Sequence, residues 1–313
     1  MTLPKSFSSL RLPAIAAPMF LASGPDLVVE VARSGLVGTF PALNQRTTEG
    51  FVDWMDQITT RLAPHPGAVW GVNLIVHKSN SRLMADLEAV VAHKVPVVIT
   101  SLGAVKDLVD AVHSYGGLVF HDVINRRHAE KAAEAGVDGI IAVCAGAGGH
   151  GGTLSPFALI PEIRSFFDGT IILSGAMSDG AQIAAARAMG ADMAYLGTRF
   201  LATREALSPD AQKDMILNAH AADILYTDAI SGVNANFMRP SIIAAGLDPE
   251  QLVKHGPMDM NNEAKAWKTV WSAGQGVGSI DDVLPAADLC DRLVAEYGAA
   301  IARLAADPFL ARA

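Results

Sequence analysis

A glycine-rich segment that contains a single histidine has the composition of a catalytic turn. Residues 145–152 read AGAGGHGG, and five of these eight residues are glycine. Glycine permits positive φ and lets the backbone approach a ligand closely. A neutral imidazole takes up a proton near neutral pH, so His150 could remove a proton from a carbon acid. The alternative is a flexible turn in which the histidine is incidental.

Two further glycine-bearing segments have the pattern of a phosphate site. Residues 174–176 read SGA and are followed at 179–180 by Asp-Gly, which opens a predicted helix, and residues 197–199 read GTR. Barrel enzymes often bind phosphate with the loops after strands seven and eight and a nearby helix N-terminus. The alternatives are that these glycines only serve tight turns and that Arg199 pairs with an acidic residue on the rim.

Polar residues also end two apolar runs. Asn73 and His121 follow such runs, and Asp122 comes directly after His121. A polar residue at the end of a barrel strand faces the mouth where ligands bind, although a satisfied hydrogen bond in the core is the alternative.

The sequence has no HExxH motif and no Cys/His cluster, so no metal site is expected. Its two cysteines, Cys144 and Cys290, are expected to be free thiols.

The elements that position these residues form a regular alternation. Most of the apolar runs are apolar throughout, as strands buried on both faces are. Eight runs are found, at 14–19, 37–42, 68–75, 95–101, 118–123, 139–145, 170–176 and 193–200. Helical patterns between them, such as 127–135 and 179–189, end at glycine. This pattern predicts an α/β fold, a (β/α)8 TIM barrel, because an open sheet would carry a GxGxxG turn after its first strand.

The alternation stops after Phe200. Residues 206–278 mix helical stretches with Gly, Pro and Asn, which predicts a small, mostly helical excursion over the mouth after strand eight. An amphipathic helix at 286–305 is expected to complete the ring. The predicted domain organisation is a barrel of residues 1–205 and 279–313 with the excursion at 206–278.

Composition excludes several classes of protein. Half of the residues are hydrophobic and the formal net charge is -8. An acidic chain without lysine or arginine runs gives no support to nucleic-acid binding. No segment has about 18 consecutive apolar residues, and the N-terminus lacks a signal-peptide pattern, so no membrane association and a cytoplasmic location are expected.

Fragments in nearly the whole chain resemble the nitronate monooxygenases, formerly called 2-nitropropane dioxygenases, which are FMN-binding barrels. The fragments are APMF at 17–20, WGVNL at 70–74, AGGHGG at 147–152, LSGAMSDG at 173–180, GADMAYLGTRFLAT at 190–203 and SAGQGVGSI at 272–280. Two positions depart from the family pattern. Gly151 stands where an arginine is common, and Gly146 stands where a glutamate is common.

The resemblance assigns roles by position. It makes His150 the base toward the nitroalkane, Asn73 and His121 contacts of the flavin, and Met19 a contact through backbone atoms. The FMN-binding residues that it implies are Pro18, Met19, Asn73, His121, Ala147, Gly148, Gly149, Ser174, Gly175, Gly197, Thr198 and Gln275. The last of these is expected to return to the flavin or the mouth.

The resemblance implies a reaction but leaves rivals open. It implies FMN-dependent oxidation of a nitroalkane or nitronate by O2, which gives a carbonyl compound and nitrite. An NAD(P)H-dependent quinone or enoyl reductase would use the same phosphate site. A barrel that binds a phosphorylated metabolite without flavin is the alternative from another class. The oligomeric state stays open.

Overall fold

Eight parallel strands close into a barrel in the computed structural model, which describes residues 3–103, 105–253 and 269–309. The strands are β1 (Ala14–Ala16), β2 (Val37–Pro41), β3 (Val69–Ile75), β4 (Val97–Ser101), β5 (Leu118–Val123), β6 (Gly139–Val143), β8 (Thr170–Ser174) and β9 (Met193–Leu196). They follow one another around the barrel in the order β1-β2-β3-β4-β5-β6-β8-β9. The predicted TIM barrel is therefore confirmed. Each predicted apolar run contains one strand.

Helices fill the connections between the strands. They are α1 (Pro25–Arg33), α2 (Thr48–Leu62), α3 (Leu83–Ala92), α4 (Lys106–His113), α5 (Arg126–Glu134), α6 (Pro156–Arg164), α7 (Gly180–Ala188) and the short α8 (Thr198–Leu201). The side chains of Thr47, Asn125 and Asp179 cap α2, α5 and α7 by accepting a hydrogen bond from a first-turn N–H. Gly136 and Gly190, which follow α5 and α7, have positive φ. These are the glycines that the sequence placed at helix ends.

Strand alternation divides the core into two parts. One part fills the barrel and includes Ile15, Val97 and Phe120, while the other packs the outer face of the strands against the helices. Because successive side chains point to opposite faces, the residues two positions after an inward residue also point inward. Phe120 lies in the inner part, so Asp122 faces the inside of the barrel and His121 faces the helices.

The excursion after β9 contains strands as well as helices. It includes α9 (Asp210–Leu217), β10 (Ile224–Thr227), β11 (Ala235–Met238) and α10 (Arg239–Ala244). The two strands pair with each other and with β7 (Gly149–His150), in the order β10-β11-β7. The expectation of a mostly helical excursion therefore missed a three-stranded antiparallel sheet.

The C-terminal helix α11 (Ala286–Ala305) has the predicted bounds and packs against α7 and α1, which completes the outer ring. Both Cys144 and Cys290 are buried free thiols, as expected. No helix in the described part of the chain is long and apolar enough to cross a membrane.

Candidate active site

A cavity of about 1220 Å³ opens at the C-terminal ends of the barrel strands. Its floor contains the last inward-facing residues of several strands, and its walls come from the glycine turn and the excursion. The floor residues are Ala17, Pro41, Asn73, Ser101, Asp122, Val143, Ser174 and Tyr195. Pro18, Met19, Gly148, Gly149, His150, Gly197 and Thr198 also line the cavity. One cavity therefore collects most of the residues that the sequence selected.

The excursion fixes the glycine turn that carries His150. In the three-stranded sheet, His150 is paired with Ala235 and Gly149 with Asn236. The side chain of Asn236 donates a hydrogen bond to the carbonyl of Ala147 at 2.6 Å. The hydroxyl of Ser272 accepts from the N–H of Gly149 at 2.7 Å. The turn is thus held in one conformation rather than left flexible.

Asp122 faces the same cavity as His150 and interacts with it electrostatically. Burial raises the pKa of Asp122, whereas the hydrogen bond from Ser101 and the charge of His150 lower it. Burial is the largest effect, so the resulting pKa is about 6. The Ser101 hydroxyl donates to Oδ2 of Asp122 at 2.5 Å, and the amide of Asn73 donates to that hydroxyl at 2.8 Å. Asn73, which the sequence selected, therefore also serves to orient the acid.

His121 makes the buried hydrogen bond that the sequence left open as the alternative to a place at the barrel mouth. Its Nδ1 lies 2.7 Å from the hydroxyl of Thr100 on the outer face of the barrel, although the ring also borders an edge of the cavity. Burial and the charge of His128 lower the pKa of His121 to about 4, so the ring is neutral at physiological pH. The strand-five group that faces the barrel mouth is Asp122.

A small chamber joins the cavity on the side of β8 and β9. It is lined by Gly146, Ala147, Gly148, Ser174, Gly175, Ala176, Met177, Ser178, Tyr195, Gly197, Thr198, Gly274 and Gly276. We call it the glycine cradle. A Cβ on Gly148 would lie 2.8 Å from the backbone nitrogen of Gly274, and a Cβ on Gly274 would lie 2.5 Å from the carbonyl oxygen of Gly146. Only glycine fits at these two positions, so the backbones approach closely around a small polar space.

Two N–H groups in the first turn of helix α7 are already used within the protein. The carboxylate of Asp179 accepts from the N–H of Gln182 at 2.7 Å, and Glu296 accepts from the N–H of Gly180 at 2.8 Å. These two donors are therefore taken by carboxylates of the protein, and a phosphate site at this end of α7 stays a prediction.

Arg199 also serves the scaffold. It is buried and pairs with Asp282 at 2.7 Å, which is the alternative that the sequence left open. Burial raises the pKa of Asp282, but bonds from Arg292 and Arg199 outweigh burial, so the pKa lies below its ordinary value. A phosphate in the cradle would therefore be held by backbone N–H groups and the hydroxyls of Ser174 and Thr198.

Two other residues predicted to contact the flavin have hydrogen-bond partners within the protein. The N–H of Met19 donates to the hydroxyl of Ser23 at 2.9 Å, so this group is used within its own loop. Gln275 is exposed, and its N–H donates to the carbonyl of Gly146 at 2.8 Å. Its neighbours Gly274 and Gly276 line the cradle in its place.

Four residues of the site had no role assigned from the sequence, namely Ser101, Asp122, Asn236 and Ser272. Ser101 ends a predicted apolar run and Asp122 follows His121, but only the alternation of strand β5, counted forward from buried Phe120, separates Asp122 from His121. Ser272 and Asn236 meet the glycine turn through pairing between distant segments, for which the sequence carries no local signal. The described residues contain no cluster of three or more potential metal ligands.

Comparison with known proteins places the chain in a family. Residues 71–296 match the family model described as nitronate monooxygenase. A nitronate monooxygenase from Neurospora crassa is 27% identical over 89% of this chain and 87% of the relative. A hydroxy-methyl-oxo-octahydro-indene-carboxyl-CoA dehydrogenase from Rhodococcus jostii is 26% identical over 91% of this chain and 92% of the relative.

A solved structure agrees with these matches. Nitroalkane oxidase from Streptomyces ansochromogenes superposes with a TM-score of 0.79 at 25% identity, and the alignment covers 95% of this chain and 98% of that chain. The similarity therefore extends over the barrel and the excursion together.

Proposed function

Because the chain belongs to the nitronate monooxygenase family and is a flavin-dependent oxidoreductase, we propose that it binds FMN and oxidises alkyl nitronates or nitroalkanes with O2. The observation that carries the proposal is a single cavity system in which the glycine cradle lies at one side and His150 at the other. A phosphate-bearing flavin would fit between them.

The residues of the cradle fit the phosphate of FMN. Gly148 and Gly274 have no room for a side chain, and the lining of the cradle contains no acidic residue that would repel a dianion. The hydroxyls of Ser174 and Thr198 complete the set of polar groups. The mouth beyond it, with Pro18, Met19 and Asn73, would hold the ring system.

The protein's own residues can then perform the proton chemistry. His150 would accept the proton from the α-carbon of a neutral nitroalkane, whose electron pair stays on the nitronate formed. When a preformed nitronate binds, protonated His150 would offset its negative charge. FMN, when bound, supplies the redox chemistry. Tyr226 and Trp271 of the excursion line this cavity.

A second candidate function follows from the charges that line the cavity. Arg46, Arg82 and Lys131 line it, with Arg82 paired to Asp86 at 2.9 Å, whereas Asp122 is the single acidic residue among the described lining residues. Basic residues in the lining suit a second phosphate-bearing substrate, such as NAD(P)H or a CoA thioester of the kind named for the Rhodococcus relative. The second candidate is therefore a flavin-dependent reductase or dehydrogenase that uses such a substrate.

Anaerobic absorbance spectroscopy separates these candidates. Purified protein with FMN is mixed with ethyl nitronate in one sample, with NADH or NADPH in a second, and with buffer in a third. Bleaching of the flavin band by nitronate alone is the expected result. Bleaching only by NADH or NADPH would replace the proposal with the second candidate, and failure to bind FMN at all would contradict both.

The His150→Gln variant tests the role of the histidine in the same assay. Activity on neutral nitroalkane is expected to fall by about 100-fold or more, because a proton must be removed from carbon. Activity on preformed nitronate is expected to fall much less. An equal loss on both substrates would contradict a base role.

A further inference from the structure

We propose that Asp122 is a positioning residue for His150, and that the two side chains form an acid–imidazole pair that keeps the transferred proton on the imidazole. The inference rests on the proposed function for its catalytic meaning, although the pair itself can be measured without any substrate. The pair consists of an acid from the barrel strand β5 and a base from strand β7 of the excursion sheet.

The carboxylate is built into the floor of the cavity. Its Oδ2 accepts from Ser101, whose hydroxyl in turn accepts from Asn73, so the acid has one orientation. Its Oδ1 is buried and has no hydrogen-bond partner among the described residues. A buried carboxylate oxygen without a donor is costly, and such groups are retained where a site needs them.

Among the groups around Asp122, His150 is the one whose positive charge would act on the carboxyl. From β4 it faces the neutral Ser101, and from β9 it faces Tyr195, whose pKa burial and Asp122 itself keep well above its ordinary value. On its own strand, the ring of His121 lies on the opposite face. The charge of His150 reaches Asp122 strongly enough to lower the pKa of the acid, against the larger effect of burial.

This arrangement has a direct consequence for proton transfer. When the α-carbon–hydrogen bond of a nitroalkane breaks, its electron pair stays with the nitronate and the proton moves to a ring nitrogen of His150. The ionised carboxylate of Asp122 stabilises the imidazolium so formed, as a buried acid does beside a catalytic histidine. With a pKa of about 6, the acid is ionised in most molecules at neutral pH.

The experiment follows the titration of both partners by NMR in substrate-free protein with FMN. Histidine and aspartate are isotopically labelled, and the signals are assigned by their loss in His150→Gln and Asp122→Asn. We expect Asp122→Asn to move the midpoint of the His150 titration to lower pH. We also expect His150→Gln to move the midpoint of the Asp122 carboxyl to higher pH. Unchanged midpoints in both variants would overturn the proposal.

The control is Asp56→Asn, which removes an acid from an exposed pair with His93 at 3.1 Å. It should leave the His150 signal unchanged. Ser101→Ala is the second variant, should Asp122→Asn fail to fold. It keeps both charges but removes the bond that lowers the pKa of Asp122, so the midpoint of the carboxyl should rise. A midpoint that does not rise would contradict the assigned environment of the acid.

Kinetics link the pair to the reaction. Asp122→Asn is expected to lower kcat/KM on neutral nitroalkane by about tenfold or more and to affect preformed nitronate less. An equal loss on both substrates would overturn the positioning role. Linked NMR titrations without any oxidation of nitronate would support the pair and contradict only the proposed function.

Discussion

His150 is paired in antiparallel register with Ala235, so the strand that carries the histidine belongs to a sheet completed by the excursion. The glycine turn itself has few side chains whose contacts could fix its conformation. Its rigidity comes from residues that are distant in sequence, chiefly Asn236 and Ser272. The excursion therefore does more than cover the barrel mouth, because it sets the conformation of the turn.

Replacement of Asn236 by alanine tests this dependence. The side chain is buried and donates to the carbonyl of Ala147, so its loss leaves that acceptor without this donor. We expect the free energy of unfolding to fall by about 1–3 kcal/mol. Because the turn that carries His150 loosens, kcat should also fall. Urea denaturation and steady-state kinetics measure the two effects.

Asn218→Ala is the matched control. Asn218 is exposed and donates to the carbonyl of Asp214, far from the turn in sequence. Its replacement should leave kcat unchanged. If Asn236→Ala and Asn218→Ala behave alike in kcat, the excursion does not control the position of His150.

The glycine cradle gives a second prediction. In Gly148→Ala, the new methyl group would lie 2.8 Å from the backbone nitrogen of Gly274 and 3.2 Å from the hydroxyl of Thr198. Either the two backbones separate or the polar space closes. We expect the Kd for FMN to rise by about tenfold or more, because backbone donors lose their alignment with the phosphate. Flavin fluorescence during titration of the apoprotein measures the affinity.

Gly298→Ala provides the comparison. Gly298 lies inside α11, and a Cβ there would meet nothing within 4 Å. Its FMN affinity should equal that of the wild type, and its stability should rise by about 0.5–1 kcal/mol. Unchanged FMN affinity in Gly148→Ala would show that the cradle does not bind the phosphate.

The elements of the barrel were predictable because their strands are buried on both faces and their helices carry local end signals. The run 118–123 and the helix at 286–305 were predicted with the bounds that the structure shows, and Asp179 caps α7 as expected. These features depend on residues within a few positions of each other. Local sequence is sufficient to determine them.

The parts that were missed depend on alternation or on distant contacts. His121 and Asp122 are neighbours at the end of one strand, and only the inward direction of Phe120 shows which of them faces the cavity. The pairing of His150 with Ala235 joins distant segments and has no pattern in either of them. The occupation of the α7 N-terminus by Glu296 likewise comes from another helix.

His121 gives a prediction for stability at mildly acidic pH. Its pKa in the folded protein is about 4, below the ordinary value of 6.5, because burial disfavours the imidazolium. As the pH falls, the unfolded chain therefore binds a proton at a higher pH than the folded protein does. The contribution of His121 to the free energy of unfolding is complete above about pH 6.5 and decreases as the pH falls toward 4. Between pH 7 and pH 5 the loss from this group is about 2 kcal/mol.

The His121→Gln variant should lose less stability than the wild type over that interval, because glutamine cannot be protonated. Urea denaturation at pH 7 and pH 5 measures the difference. His65→Gln, at an exposed position, should keep the acid-dependent loss of the wild type. If the free energy of unfolding of His121→Gln falls between pH 7 and pH 5 as much as that of the wild type, His121 is not a buried neutral imidazole.

Asp122 gives a prediction of the opposite sign. Its folded pKa of about 6 lies above the ordinary value of 3.8, so the folded state binds the proton more tightly than the unfolded chain does. The stability from this group is therefore full below about pH 4 and is lost as the pH rises through 6. The total loss is about 3 kcal/mol, because each unit of pKa difference is about 1.4 kcal/mol.

Asp122→Asn removes the ionisable group, so it should be more stable than the wild type at pH 8 and similar to it at pH 4. Urea denaturation at both values measures this, and a variant that is less stable than the wild type at pH 8 would show that the ionised carboxylate stabilises the fold. The predicted gain in stability, together with the expected loss of activity, would mean that the barrel keeps a destabilising acid at its mouth for the sake of His150.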